Sequence, residues 1–278
     1  MSKLYVVGTP IGNLSDMTPR ALEVLGNVDF IAAEDTRVTL KLLTHFGIQK
    51  PLISYYEQIK NQKGGYIADR IAAGEDCAIV TDAGMPCISD PGEDLVRICA
   101  ERGIEINVVP TATAAMSALA ISGLSTSRFS FEGFLSVTKK QRNAHLDEIK
   151  DHRYTLIFYE APHKLKNTLD DLYKTLGDRR VALCRELTKI HEEVLRGTLS
   201  DMIRYYEQHE PKGEYVLVIE GAPKTEEKTA DIEDAVNYAK GQIENGAKAS
   251  DACKDAARKF GFSKSEIYAE VTRSREDS

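Results

Sequence analysis

The chain of 278 residues predicts an α/β fold: two α/β domains, with a parallel-rich sheet in the first and a mixed sheet in the second, then a small helical appendage. Three observations carry this. Short apolar runs of strand length alternate with helical patterns as far as Ile219. Two such runs, Leu4-Tyr-Val-Val7 and Cys77-Ala-Ile-Val80, pass directly into constrained loops, Gly8-Thr-Pro-Ile-Gly-Asn-Leu14 and Thr81-Asp-Ala-Gly-Met-Pro-Cys-Ile-Ser-Asp-Pro-Gly92. Open α/β sheets bind ligands just beyond the carboxyl ends of their strands, so these loops mark a site. Finally, the polar stretch 222–229 breaks the composition, and everything after it has a helical pattern.

In order, Thr18 caps a helix, Pro19 occupies its first position and Gly26 ends it. A strand over 28–33 runs into Glu34-Asp-Thr-Arg37, and a helix over 38–46 stops at Gly47. Strands follow at 52–54, 77–80 and 104–109, with helices at 65–73 and 93–101; Ser89-Asp-Pro-Gly92 before the latter suits a functional loop, and equally a plain helix start with Ser89 or Asp90 as cap. After Pro110 come a small-residue helix (113–121) and strands at 129–134, 155–159, 181–187, 193–196 and 215–219. Helices at 139–150, 163–176 and 199–208 separate them. The alternating patterns of this half predict a mixed sheet. The division is therefore 1–111, 112–221, a linker at 222–229 and a helical tail at 230–278. In the tail, a helix at 249–260, a turn at Gly261 and a helix at 263–272 opened by the capping box Ser263-Lys-Ser-Glu266 have helix-turn-helix cadence.

Composition narrows the function. Hydrophobic residues make up 42% of the chain, yet no apolar run approaches the ~18 residues of a membrane span, and no signal-peptide h-region precedes the first strand. Five cysteines lie scattered without a C-x-x-C pair, which predicts reduced thiols, a cytoplasmic location and no zinc knuckle. A net charge of -7 argues against broad, non-specific nucleic-acid binding and leaves room for a local basic face.

Gly8-Thr-Pro-Ile-Gly-Asn is neither G-x-G-x-x-G nor a Walker loop, so nucleotide-phosphate binding gains no support from it; a plain turn is the competing reading. Asp82 at a strand end suits a ligand amine or a cation, and equally an Asx turn. Glu34, Asp35 and Arg37 suit orienting a polar substrate or tuning a base, against the rival of an acidic helix start. Arg185 and Lys189 at another strand end suit a phosphate or a developing alkoxide, against surface ion pairing. No histidines have ligand spacing, and no metal is expected. Basic islands at 139–142, 164–166, 179–180 and in the tail form an RNA track only if they converge in space.

Taken together and in order, Gly8-Thr-Pro-Ile-Gly-Asn-Leu14, Ala33-Glu-Asp-Thr-Arg37, the 81–92 loop, Phe131-Glu-Gly-Phe-Leu135, Tyr159-Glu-Ala-Pro-His163, Arg185-Glu-Leu-Thr-Lys189 and Gly213-Glu-Tyr-Val-Leu-Val resemble the ribosomal RNA small subunit methyltransferase I family, within the tetrapyrrole methylase superfamily. The resemblance runs from Leu4 into the tail. It implies S-adenosylmethionine folded into a cleft between two α/β domains, a homodimer, and 2′-O-methylation of a cytidine in the decoding region of 16S rRNA within the small ribosomal subunit. It further implies that Pro10, Ile11, Asp82, Gly84, Ile88, Thr113, Ala114, Tyr159, Glu160, Leu187, Gly213 and Glu214 line the cofactor cleft. The chain departs from the family at Thr111, where glycine is usual and freedom at φ > 0 is lost, and at Met85 and Cys87. Two rival functions keep the fold: methylation of a tetrapyrrole or another small metabolite, and a non-catalytic RNA-binding assembly factor. Glu34-Asp-Thr-Arg37 and the tail argue against the first, and the intact strand-end loops against the second.

Overall fold

The computed structural model describes residues 2–56, 60–223 and 231–276. These form two compact units, Met1–Ala222 and Pro223–Ser278. The first half of the larger unit comprises β1 (Lys3–Val7), α1 (Pro19–Asn27), β2 (Phe30–Ala33), α2 (Thr36–His45), β3 (Leu52–Ser54), α3 (Lys60–Ala72), β4 (Cys77–Val80), α4 (Glu93–Glu101) and β5 (Glu105–Val109). Its second half comprises α5 (Ala114–Ile121), β6 (Phe129–Phe134), α6 (Lys139–Ile149), β7 (Thr155–Glu160), α7 (Pro162–Leu176), β8 (Arg180–Arg185), β9 (Glu193–Thr198), α8 (Leu199–Gln208) and β10 (Tyr215–Ile219).

The first sheet is wholly parallel in the order β3-β2-β4-β1-β5. Its strands are continuous apolar runs because both faces are covered. Along β4, Cys77 and Ile79 pack with Ile67 and Ile71 of α3 and Leu95 of α4, while Ala78 and Val80 pack with Leu25 of α1 and Leu43 of α2. The period of two in a strand thus delivers alternate residues to two cores. The second sheet, β6-β7-β10-β8-β9, is mixed: β6 and β7 are parallel, and the remaining pairs antiparallel. Leucines of α7 (Leu165, Leu169, Leu172) with Met202 and Tyr206 of α8 cover one face, and Ala115, Ala118 and Leu119 of α5 cover the other.

Boundaries shift where local chemistry overrides pattern. Val28, expected in a strand, instead caps α1, its N–H donating to Val24 O, and β2 starts at Phe30. The strand expected to reach residue 187 stops at Arg185 because Glu186 turns to φ 50. Neither Ser89 nor Asp90 caps α4; its N-cap is Gly92, with no side-chain hydrogen bond. α3 begins at Lys60, five residues before the expected start, and runs through Gly64 and Gly65.

Of the expected linker, residues 224–229 lie outside the described residues. In the smaller unit, α9 (Ile232–Glu244), within the expected helical tail, packs with α10 (Ala249–Phe260) and α11 (Lys264–Glu276) around Ala235, Ala239, Cys253, Ala256 and Ile267. Gly261 ends α10 in the left-handed conformation, and Ser263 and Glu266 exchange both hydrogen bonds of a capping box at 3.2 Å.

Candidate active site

In the parallel sheet the chain leaves β1 toward β2 on one side and leaves β4 toward β5 on the other, so the crevice between the ends of β1 and β4 is the topological switch point. The two loops there are stitched together. Thr9 N donates to Gly84 O at 2.9 Å, Gly84 N donates to Thr9 O at 3.0 Å, and the buried Thr9 hydroxyl donates to Thr81 O at 3.1 Å. In the second sheet β7 and β8 end, and antiparallel β10 begins, on one edge, which brings Glu160, Glu186 and Glu214 to a common rim. A cleft of about 580 Å³ is lined by both sets of loops, within the range of small-molecule sites (roughly 300–1,000 Å³).

Ile11, Asp82, Gly84, Ile88, Thr113, Ala114, Tyr159, Glu160, Leu187 and Glu214 all line this cleft. Pro10 and Gly213 do not: Pro10 is buried, and Gly213 shapes the rim instead. At φ 78, with Glu186 Cγ only 2.5 Å from where a Cβ would sit, position 213 requires glycine. Several lining residues are already engaged. The Thr113 hydroxyl caps α5 by accepting Met116 N at 3.4 Å, and the Tyr159 hydroxyl accepts Ala115 N at 3.1 Å. The buried Glu160 carboxylate accepts Ala161 N at 2.8 Å and the Thr168 hydroxyl at 2.6 Å. The Thr111 departure is accommodated, since Thr111 is not among the residues with positive φ. Its side chain packs over Gly8. Cys87 does adopt φ 72, and burial raises its thiol to about 11.

One wall is rich in carboxylates. Glu34 Oε2 accepts the Thr81 hydroxyl at 2.6 Å and Asp82 N at 3.4 Å, and Asp82 Oδ1 accepts Asp35 N at 3.2 Å, which braces the ends of β2 and β4. Burial, then the Glu34 charge, holds the Asp82 carboxyl above its ordinary range. Asp90 moves further, to about 6, through burial first and the charges of Glu34 and Asp82 after the opposing Thr81 hydrogen bond is counted. On the opposite rim Lys189 Nζ is clamped between Glu186 Oε1 and Glu214 Oε2, each at 2.9 Å. Burial favours its neutral form, yet the two carboxylates prevail and raise its pKa. Among the described residues the non-glycine positions with positive φ are Cys87, Ser89, Glu186 and Thr188, all in the 81–92 and 186–192 loops that border the cleft. Each such residue costs about 1–3 kcal/mol, and strain of this kind gathers at functional sites.

The catalytic candidates separate accordingly. Glu34 lines the cleft and Lys189 forms its clamped rim, whereas Asp35, Arg37 and Arg185 do not line it. Asp35 is the N-cap of α2 and pairs with Arg37 (2.6 Å), and these contacts hold its carboxyl down at about 2, a weak base. Arg185 lies 3.6 Å from Glu193. Sequence reasoning missed Glu186 and Phe134 and left Asp90 open between a helix cap and a loop function; all three line the cleft. Asp90 was legible as a carboxylate in a Pro/Gly-constrained strand-end loop. Glu186 and Phe134 depend on backbone twists that carry no local signal. No cluster of three or more His, Cys, Asp or Glu side chains suited to a metal occurs among the described residues.

Two sheet-bearing halves that line one cleft with their strand ends define a class of α/β protein. Residues 3–203 match the family described as Tetrapyrrole (Corrin/Porphyrin) Methylases, and the chain belongs to that family. The similar curated proteins carry a narrower name, ribosomal RNA small subunit methyltransferase I. That of Halalkalibacterium halodurans is 46% identical over 95% of this chain and 93% of its own length, and that of Bacillus subtilis 43% identical over 96% and 93%. The Thermotoga maritima protein of the same name is 46% identical over 80% of this chain, which accounts for 99% of its own length. Among solved structures, the methyltransferase CobJ aligns with a TM-score of 0.61 at 17% identity over 79% of this chain and 95% of its own, and diphthine synthase with 0.59 at 12% over 80% and 90%; these two show the fold alone.

Proposed function

We propose that this protein is a cytoplasmic S-adenosylmethionine-dependent methyltransferase that methylates the ribose 2′-oxygen of a cytidine in the decoding region of 16S rRNA, within the small ribosomal subunit. The observation that carries this reading is the shared cleft. The loops that resemble the methyltransferase I motifs converge on it, and relatives of that name match nearly the whole chain. Its two walls come from the halves 1–111 and 112–221.

The cleft suits S-adenosylmethionine by its chemistry. The ligand carries a sulfonium and an ammonium, and Glu34, Asp82 and Asp90 supply negative charge, while Ile11, Leu187 and Val216 supply apolar surface for a purine ring. When bound, the cofactor supplies an electrophilic methyl group. The chain's part is to align acceptor and donor in line and to take one proton from the ribose hydroxyl. Asp90 is the group matched to that proton, because its pKa of about 6 leaves it ionised yet basic near neutrality. Lys189, held cationic by its carboxylates, fixes the opposite rim.

A homodimer accords with α5. Its sequence, Ala114-Ala-Met-Ser-Ala-Leu-Ala-Ile121, is apolar on nearly every side, though Ala115, Ala118 and Leu119 alone are buried; Met116 and Ile121 remain about 40% exposed. A helix apolar all round is ordinarily covered, and a second copy of this chain is the expected cover. Ile121→Asp is expected to shift the sedimentation of the protein from dimer to monomer; an unchanged dimer would place the interface elsewhere.

The function is tested by transfer of labelled methyl from S-adenosylmethionine to small ribosomal subunits and to free rRNA, with nuclease mapping of the product. Label on one cytidine 2′-oxygen of the decoding region is the expected result. Cofactor binding with no label on either RNA would reject it in favour of a small-metabolite acceptor or a binding role.

A further inference from the structure

We propose that Phe134 is the platform on which the nucleobase of the methyl-accepting nucleotide stacks. This inference rests on the RNA reading above. Phe134 lines the cleft, yet its side chain is 55% exposed, and the ring meets the edge of Tyr159 with centroids 5.5 Å apart. Tyr159 is fixed in turn by its hydrogen bond from Ala115 and by Phe131, whose ring centroid lies 4.9 Å away. The aromatic wall is thus braced from behind and open in front.

The backbone is built to produce this placement. Residues 131 and 134 are three apart, and in a regular strand they would point to opposite faces. The pairing of β6 with β7 skips a residue between Phe131 and Gly133, so Phe131 pairs with Ile157, Gly133 with Phe158 and Phe134 with Tyr159. This bulge shifts the parity and turns both phenylalanines onto Tyr159. Gly133 takes φ 64 within it, with Ser89 Oγ 3.4 Å from where a Cβ would sit. The extra residue, Glu132, is tied down by the Ser130 hydroxyl and by His145 Nε2 at 2.8 Å. An irregular strand is thereby anchored at three side chains, and its outcome is an exposed aromatic ring in the cleft.

The occupant follows from the surroundings. A flat, sequence-tolerant ring face beside the reaction cleft suits a base turned out of its stack, as enzymes that modify nucleotides require. Lys139 and Lys140, exposed at the start of α6 five and six residues further along the chain, take part in no ion pair among the described residues and can meet the flanking phosphates. Ile88, 48% exposed, lines the cleft as a further apolar contact.

Steady-state methyl transfer to small ribosomal subunits tests this with wild type, Phe134→Ala, Phe134→Leu and Phe134→Tyr. Loss of one stacked base corresponds to about a 5- to 150-fold effect. We expect a rise in KM for the subunit of that order in the alanine and leucine variants, near-normal KM in the tyrosine variant, and one shared Kd for S-adenosylmethionine. An RNA oligonucleotide with a fluorescent cytosine analogue at the acceptor position should be quenched by wild type and Phe134→Tyr and not by Phe134→Ala. Wild-type KM in Phe134→Leu, or loss of the dimer in Phe134→Ala, would show that the ring packs rather than stacks. Methylation of a porphyrinoid by wild type, with none of subunits, would reject the RNA reading and this inference with it.

Discussion

Replacing Asp90 by asparagine is expected to lower kcat about 10²- to 10⁴-fold, the usual weight of a positioned general base, with little change in KM for the subunit. In wild type, kcat should fall as pH drops through about 6, because only the ionised carboxylate accepts a proton. A second readout has the opposite sign. The folded pKa of about 6 lies above the ordinary 3.8, so the carboxyl is harmless to the fold below about pH 4 and increasingly unfavourable as pH rises through 6. The asparagine variant should therefore unfold at a higher temperature than wild type at pH 8 and at the same temperature at pH 3.5. The gain is capped at about 3 kcal/mol by the pKa difference, and partial exposure brings it nearer to about 1–2 kcal/mol. Better stability with lost turnover is the signature of a group retained for chemistry. Retained kcat with weakened cofactor binding would instead make Asp90 a ligand for the cofactor's ammonium and hand the proton to Glu34 or Asp82.

That Asp90 rather than Asp35 carries this prediction shows where the sequence was legible and where it was not. Strand ends were readable: the apolar runs 77–80 and 215–219 match β4 and β10 residue for residue, because strands covered on both faces need unbroken apolar chemistry. The loops after them were readable as a site, since Pro and Gly cluster where backbone must turn sharply beside a ligand. Which carboxylate of Glu34-Asp-Thr-Arg37 faces the cleft was not readable. Residue type permits both a cap and a base, and the choice falls to the α2 terminus, which claims Asp35 for Arg37 N. Asp90 was open in the sequence between a helix cap and a loop function, and the fold makes it a cleft carboxylate, because Gly92 at φ 135 takes the cap position before Glu93. Phe134 is harder still. Its direction follows from one unpaired residue in β6, and no spacing rule reports a bulge.

A chain ending at Ala222 is expected to fold, to bind S-adenosylmethionine with the same Kd as the full chain under the function proposed above, and to lose RNA affinity. Folding is expected because Met1–Ala222 is a compact unit that holds both sheets and the whole lining of the cleft, and because the Thermotoga relative is matched over 99% of its own length by 221 residues. Loss of affinity is expected from the chemistry of the smaller unit. Among the described residues, Lys254 of α10 enters no ion pair, Lys259 sits over the Tyr238 ring at 3.9 Å with no carboxylate paired to it, and Lys248 at the N-cap is likewise unpaired. Asp255, the nearby acid, is occupied by Gln242 and Tyr238, each at 3.2 Å. If these cations meet phosphates, the truncated chain should show a higher KM for subunits and a shallower fall of affinity with salt, each lost phosphate contact flattening the log–log slope by about 0.7–0.9. Turnover at saturating subunit should persist, since nothing that lines the cleft has been removed. Equal RNA affinity in the two chains would reject the tail as an RNA-holding element, and lost turnover at saturation would show that the cleft depends on the tail to be complete.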